Sequence, residues 1–340
     1  FNSGMDTAKI EKQGLEFITP YLKEIDQINT PDEVQQAVIR FHQYGFSPLF
    51  GIYGSADARN SAMVIAQLTQ AGMGMPDRDY YVNDDPRSVD LRAKYVTYMT
   101  TMFKLLGNDD ATSAANAQKV MSLETQLAKA SMTRLEQRDP NKTYNKVTTA
   151  ELVKLSPVFN WNRYFAEMGL GDPGSVNLNQ PIFVKEISNM LATIPVEDWK
   201  IYLKWNLINE TASYLSSDFV QASFDFYGKA MTGTEVMRPR WKRVLGVTSG
   251  ALSEALGQLY VKAYFPQASK DRMIKLVENL RVSLGERIQN LEWMGPETKQ
   301  KGIEKLHAIN VKIGYPDKWR DYSGLEIKDD AYVLNVLRAN

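Results

Sequence analysis

The chain has no cysteine among its 340 residues and only two histidines, His42 and His307. The first absence excludes disulfides, thiolate metal sites and a cysteine nucleophile together. It says little about compartment, because a chain of this length buries roughly 75% of its unfolded surface and can dispense with cross-links. An excess of one charge is also lacking, since 40 basic side chains balance 40 acidic ones. That balance argues against nucleic acid or an anionic membrane as the main partner, because both demand a basic excess. No apolar run approaches the ~18 residues needed to span a bilayer. Phe1-Asn2-Ser3-Gly4-Met5 have neither a charged leader nor an apolar core, and no signal peptide is expected in them.

Helix signals dominate what is present. Thr30-Pro31-Asp32-Glu33 fits a capping box, followed by Val34, Val38 and Phe41 on one face. Pro48 to Gly54 and Ser61 to Thr69 read as a strand pair joined by a polar turn through Asp57 and Asn60. A helix starts at Pro86 and ends at Gly107, with Leu91, Tyr95, Tyr98, Met102 and Leu105 in 4-3-4-3 spacing. A second long helix is expected over Ser113 to Gln137, stopped by Asp139-Pro140. Val176 to Leu178 suits a short extended piece. Helices from Pro181 and after Pro195 carry Phe183, Ile187, Met190 and Ile194, then Trp199, Leu203 and Leu207. The clearest stripe runs from Lys270 to Trp293 through Met273, Val277, Leu280, Leu284, Ile288 and Leu291, and another helix opens at Pro296. Length alone favours about two domains. With no linker, repeat or low-complexity tract, the pattern reads as one mainly α, multi-helix lobe over residues 1–340 with one small β-hairpin at about residues 48–69.

Gly72 to Tyr81, GMGMPDRDYY, is the most specific segment, with two glycines, a proline, an acidic-basic-acidic triplet and paired tyrosines. Further motifs follow in order: Ser131-Met132-Thr133-Arg134, Arg138-Asp139-Pro140, Tyr144-Asn145-Lys146, Tyr202-Leu203-Lys204-Trp205, Arg240-Trp241-Lys242-Arg243 and Gly257-Gln258-Leu259-Tyr260-Val261. The last third adds Trp293-Met294, Glu297-Thr298-Lys299, Lys305-Leu306 and Ile313-Gly314-Tyr315-Pro316-Asp317-Lys318-Trp319. Together they resemble the neprilysin-like zinc metallopeptidases, a family that includes endothelin-converting enzymes and bacterial oligopeptidase O (PepO). The likeness is to the amino-terminal, largely helical region. It implies a lobe that caps a zinc lobe of the same polypeptide, the two enclosing a chamber that admits oligopeptides.

The family's zinc site requires His-Glu-x-x-His on a helix and a further glutamate ligand. Here His42 continues Gln-Tyr-Gly-Phe and His307 continues Ala-Ile-Asn-Val. The Asn-Ala-aromatic strand that clamps substrate in the family is also absent, and the match begins inside the family's domain. The resemblance therefore implies a lobe truncated at both ends, with no catalytic residue, no metal ligand and no cofactor of its own, and zinc only in the parent enzyme. It leaves the substrate-binding residues unassigned.

Several residues invite a sharper reading, and in each case the plainer one is preferred. His42 and His307 each sit at the edge of an apolar helical stripe and read as structural rather than as a split metal site. Asp77, Arg78 and Asp79 read as caps and ion pairs that position Tyr80 and Tyr81, not as a catalytic carboxylate–arginine set. Arg238 to Arg243 read as a solvated or domain-contact face on a neutral chain. Glu292 and Glu297 are a coincidence among 40 acids, with nothing to fix their separation. The sequons at Asn141 and Asn209 matter only in a eukaryotic secretory setting. Vertebrate members of the resembled family carry disulfides, so a cysteine-free chain implies a bacterial source and unmodified asparagines. The location implied is the periplasm or cell envelope, with the cytoplasm as the alternative. Helical spacing at Phe1, Met5 and Ala8, and at Tyr332, Val333, Val336 and Leu337, places both chain ends beside an exposed apolar face. The alternative function is a freestanding helical scaffold that binds a peptide or protein without enzymatic activity.

Overall fold

A computed structural model describes all 340 residues, with eighteen α-helices and one four-stranded sheet. No helix is long and apolar enough to cross a membrane. The chain divides into two compact units, one of residues 1–241 with 327–338 and 340, the other of residues 242–326 with 339. The boundary after Trp241 falls inside the helix Arg240–Ala251, so no shift in composition marks it.

In the first unit the helix starts follow their caps. Thr30 Oγ1 accepts the Glu33 N–H and Glu33 reaches back to the Thr30 N–H, so the capping box starts the helix Pro31–Gln43 with Val34, Val38 and Phe41 buried. Asp85 caps Pro86–Leu105 through the N–H groups of Arg87 and Ser88. The following helix is shorter than its periodicity suggests, spanning Asp110–Ala130, because Ser131 turns extended and Met132 bonds to Gln70 instead. Glu136–Arg138 form a separate 3₁₀ turn.

The hairpin is longer than expected: β1 (Phe50–Asp57) pairs antiparallel with β2 (Asn60–Gln70). It is also part of a larger sheet. β3 (Lys146–Thr148) and β4 (Ser175–Leu178) complete the order β1-β2-β4-β3, β2 and β4 running parallel. β4 matches the extended piece expected at 176–178, whereas β3 falls in a stretch where no strand was expected. Ile52, Ala66, Leu68, Val176 and Leu178 turn to the core. Tyr53, Gln67 and Asn177 line up across the other face by register. Beneath the apolar face Phe50, Phe159, Trp161 and Tyr164 pack with ring centroids 4.5–6.0 Å apart.

The two chain ends meet within this unit: the Asn335 amide reaches Ser3 Oγ at 3.3 Å and Lys9 pairs with Asp329 at 3.0 Å. The expectation of an exposed apolar face at these ends is corrected in part. Phe1 and Met5 are exposed, but Tyr332, Val333, Val336 and Leu337 of the last helix are buried.

The second unit has a different balance. Only Val244, Lys270 and Leu306 are buried in it. Lys270 Nζ lies 2.9 Å from the Tyr315 carbonyl, 3.0 Å from Asp317 and 4.3 Å from the centre of the Tyr315 ring, which stacks on Trp319. The helix Gln267–Gln289 carries most of the stripe expected to face inward, yet Met273, Leu280 and Leu284 of it are exposed, Leu280 at 61%, as is Leu276 beside them. The helix Ser253–Tyr264 exposes Leu256, Leu259, Tyr260 and Tyr264 at one-face spacing. Val277, Ile288 and Leu291 of the same stripe are half-buried, Ile288 lying against Gly302 of the helix Pro296–His307, so within this unit the apolar face is covered only in part.

Truncation should separate the two kinds of apolar position. Leu203→Ala, in the core of the first unit, is expected to cost about 2–5 kcal/mol. Leu280→Ala should stay within about 0.5 kcal/mol of wild type. Equal losses in denaturant unfolding would contradict the exposed position of the stripe.

Candidate functional site

The segment Gly72–Tyr81 is held from several sides. It runs irregularly to a one-turn helix, Asp79–Val82. The Tyr202 hydroxyl donates to the Gly72 carbonyl at 2.7 Å and accepts the N–H of Leu49, a buried non-glycine residue at φ 65°. That left-handed conformation is strained for leucine, and the bond helps to hold it. Tyr227, on the π-helix Phe224–Met231, donates to the Gly74 carbonyl at 2.9 Å. Both glycines are required by close approach. A Cβ at Gly72, where φ is +82°, would lie 2.5 Å from the Leu49 nitrogen, and one at Gly74 would lie 2.0 Å from the Tyr95 hydroxyl.

Below the loop lies a buried carboxyl group, Glu124. Tyr81 donates to it at 2.7 Å, Tyr95 at 2.9 Å and the Trp205 indole N–H at 3.0 Å, while the Tyr81 oxygen accepts the Met75 N–H at 2.8 Å. The donors favour the carboxylate, but loss of water outweighs them and pushes the Glu124 pKa up to about 7. Glu124 escaped notice in the sequence. Its signal was an acidic residue in register with Val120 and Ala128 on the apolar face of a helix.

The expected pair Tyr80–Tyr81 divides, with Tyr81 buried and Tyr80 only half-buried. Asp77 pairs with Arg134 and accepts the Asp79 N–H, while Arg78 bonds Asp79 and the Ala128 carbonyl, so the triplet bolts the loop to the end of the helix Asp110–Ala130 and the turn after it. In the motif Tyr144-Asn145-Lys146, Lys146 and Tyr144 both reach Asp57 at 2.8 Å. Lys146, the Arg59 N–H and Tyr144 hold the Asp57 carboxyl down to about 2.

His42 is committed to the core. Its Nδ1 accepts from Tyr164 at 2.6 Å, which leaves Nε2–H to donate to the Pro48 carbonyl at 3.1 Å. Burial lowers its pKa to about 4, so the ring is neutral at ordinary pH. His307 is exposed, in the other unit. No group of three or more His, Asp or Glu side chains is arranged to hold a metal, and a histidine with both nitrogens engaged does not fit a zinc ligand. Arg240 donates to the Gly4 carbonyl at 2.7 Å, while Glu292 and Glu297 are exposed. The Asn209 amide is engaged by Tyr98 and Tyr227, so a glycan there would break the clasp; Asn141 is exposed.

A polar cleft of about 370 Å³ opens on the outer face of the sheet, floored by Gln67, Asn177 and Gln180 and walled by Tyr53 and Tyr144. A smaller hollow of about 240 Å³ adjoins it at Gln137 and runs beside Met75, Asp77 and Arg134. None of the cleft's floor residues stood out in the sequence, because isolated amides in strands carry no spacing signal.

Residues 1–316 match the family model described as peptidase family M13. Endothelin-converting enzyme 1 of Rattus norvegicus is 35% identical over 348 residues, a stretch covering 97% of this chain and 44% of that protein. The zinc metalloprotease Zmp1 of Mycobacterium tuberculosis, in its open state, is 32% identical with a TM-score of 0.91 over 99% of this chain and 52% of its own. PepO from Lactobacillus rhamnosis HN001 shares the fold at a TM-score of 0.86 and 19% identity. The chain spans about half the length of the relatives it matches.

The clasp yields two expectations. Tyr81→Ala should cost roughly 3–5 kcal/mol and Tyr80→Ala about 1 kcal/mol, measured by denaturant unfolding; the reverse order would contradict the assigned anchor. The second concerns pH. A folded pKa near 7 against an ordinary 4.5 means that the folded state holds the Glu124 proton more tightly. The resulting stability is complete below pH 4.5 and is lost as pH rises through 7. Relative to Glu124→Gln, wild type should lose on the order of 3 kcal/mol between pH 4 and 8. His42 contributes with the opposite sign, losing stability as pH falls from 6.5 to about 4, and cancels in the difference. Parallel stability curves for the two proteins would refute the assignment.

Proposed function

The chain belongs to peptidase family M13, and on that premise we propose that residues 1–340 act as the non-catalytic lobe of a zinc metalloendopeptidase. The zinc, its ligands and the attacking water belong to a catalytic lobe of the same polypeptide, outside this sequence. This lobe walls a chamber that admits oligopeptides and excludes folded proteins by size. The enzyme works outside the cytoplasm, in the periplasm or envelope of a bacterium. The chain alone does not cleave peptides.

One observation supports the reading above the rest. The helices Ser253–Tyr264 and Gln267–Gln289 present apolar faces to water, including Tyr260 at 62% and Leu280 at 61% exposure, in a unit with only three buried residues. Soluble monomers rarely expose such a concentration of apolar side chains unless a partner covers it. Zmp1, at 32% identity, has roughly twice this length, and a covering lobe accounts for both facts. A freestanding scaffold would leave the length difference unexplained.

The reading frame beyond residue 340 is expected to encode His-Glu-x-x-His. In that longer protein Leu280→Lys should lower the melting temperature and cut peptidase activity at least tenfold, while leaving the 340-residue chain as stable as wild type. A frame that ends without the motif, or a longer protein indifferent to Leu280→Lys, would overturn the proposal.

A further inference from the structure

The cleft on the outer face of the sheet has an unusual hydrogen-bond balance. Register places Tyr53, Gln67 and Asn177 side by side across β1, β2 and β4. Asn177 Oδ1 accepts the backbone N–H of Asn145 at 2.6 Å, so Asn177 Nδ2 must donate, and its hydrogens are shared among Asn179 Oδ1 at 2.6 Å, Gln67 Oε1 at 2.8 Å and the Thr143 carbonyl at 2.9 Å. Gln67 therefore spends its oxygen inside the protein and keeps its Nε2 hydrogens. The same logic applies to Gln180, whose Oε1 accepts the Gln70 N–H at 2.9 Å and the Thr69 hydroxyl at 3.4 Å. The Gln70 N–H fixes Gln180 directly, and Asn177, itself fixed by the Asn145 N–H, fixes Gln67, so neither amide can flip without losing a bond.

Neither Nε2 group has a partner within the protein, and neither is sealed from solvent. The side-chain atoms that are both sealed and unpartnered are Ser156 Oγ, Arg163 Nε and Trp199 Nε1. Two rigid N–H₂ donors thus open into a cleft of about 370 Å³, a size within the range of ligand sites. Asp57, the nearby acid, is matched by Lys146. The floor's two outward amides suit an uncharged ligand that brings acceptors, while the Ser55 hydroxyl and the Gln137 side-chain oxygen in the lining are free to take N–H groups.

We infer that this cleft is a peptide-binding subsite, in which the side-chain amides of Gln67 and Gln180 donate to backbone carbonyl oxygens of an extended oligopeptide. The choice of peptide rests on the peptidase-lobe reading; the donor imbalance does not. Such a subsite lies on residues that take no part in peptide hydrolysis and holds a stretch of chain away from the bond being cut. The Tyr53 and Tyr144 rings wall it, giving apolar contact to the peptide's side chains.

Gln→Glu substitution isolates the claim, because the internal acceptor oxygen is kept while the outward donor becomes an acceptor. The 340-residue chain is titrated with an acetylated, amidated tetrapeptide of alanine and leucine, followed by the side-chain amide NMR signals of Gln67 and Gln180. Saturable shifts of both signals are expected. Gln67→Glu and Gln180→Glu should each weaken binding at least tenfold with an unchanged melting temperature. The wild-type shifts test the assignment even if a variant fails to fold. Unmoved amide signals at millimolar peptide, variants that bind as wild type does, or binding of maltotetraose in place of the peptide would each overturn it. If the peptide fails to bind while the longer reading frame encodes His-Glu-x-x-His, the subsite falls and the lobe assignment stands.

Discussion

The first unit is organised around a carboxyl group that cannot reach water. Glu124 sits among Tyr81, Tyr95 and Trp205, which come from three different helices. An unpaired polar group buried this way costs several kcal/mol, so each partner's position constrains the others. Tyr81 then fixes the Met75 N–H, Gly74 must lack a side chain to admit Tyr95, and Tyr227 closes over the Gly74 carbonyl. A single buried acid thereby accounts for Gly74 and the second tyrosine of the most distinctive segment in the chain, while Gly72 answers to Leu49 and Tyr202.

The sheet obeys a related rule on its outer face. Asn177 is the centre, consuming the acceptor of Gln67 and the N–H of Asn145, while Lys146 and Tyr144 neutralise and cover Asp57 at the hairpin tip. The family motifs Tyr144-Asn145-Lys146, Tyr202-Leu203-Lys204-Trp205 and Ser131-Met132-Thr133-Arg134 supply many of these bonds. Their role in this chain is architectural: they pin loops to helices, and the side chains left unsatisfied lie beside them, not within them.

The second unit poses the opposite problem, too much apolar surface and too little to bury it against. Its internal bonds are local, with Lys270 drawn to the Tyr315 carbonyl and Asp317, and Tyr315 stacked on Trp319. They shape the segment Ile313–Trp319 without hiding the stripes on the helices Ser253–Tyr264 and Gln267–Gln289. A surface of this kind gains free energy from a partner in proportion to the apolar area covered.

Local chemistry made much of the fold legible. The capping box at Thr30, the Asp85-Pro86 start and the strand-rich run after Pro48 act over a few residues, and the structure follows them. The helix expected to reach Gln137 stops at Ala130 because a long-range bond, Met132 to Gln70, competes with continued helix. The stripe through Met273, Leu280 and Leu284 shows the same limit in energetic form. Its 3.6-residue period is a property of the sequence, whereas burial requires an opposing surface that the sequence of the helix does not contain. The neutral, structural state of His42 was foreseeable from its place beside an apolar stripe. The identities of its partners, Tyr164 and the Pro48 carbonyl, were not. The same holds for Glu124, Gln67 and Gln180: each looks like one polar residue among many until folding removes its water and assigns its partners. The sequence by itself determined which segments are helix or strand and which faces are apolar, because caps and periodicity act locally. Only the tertiary structure decided which polar atoms are satisfied and which apolar faces remain open, because desolvation depends on every segment that packs around a group.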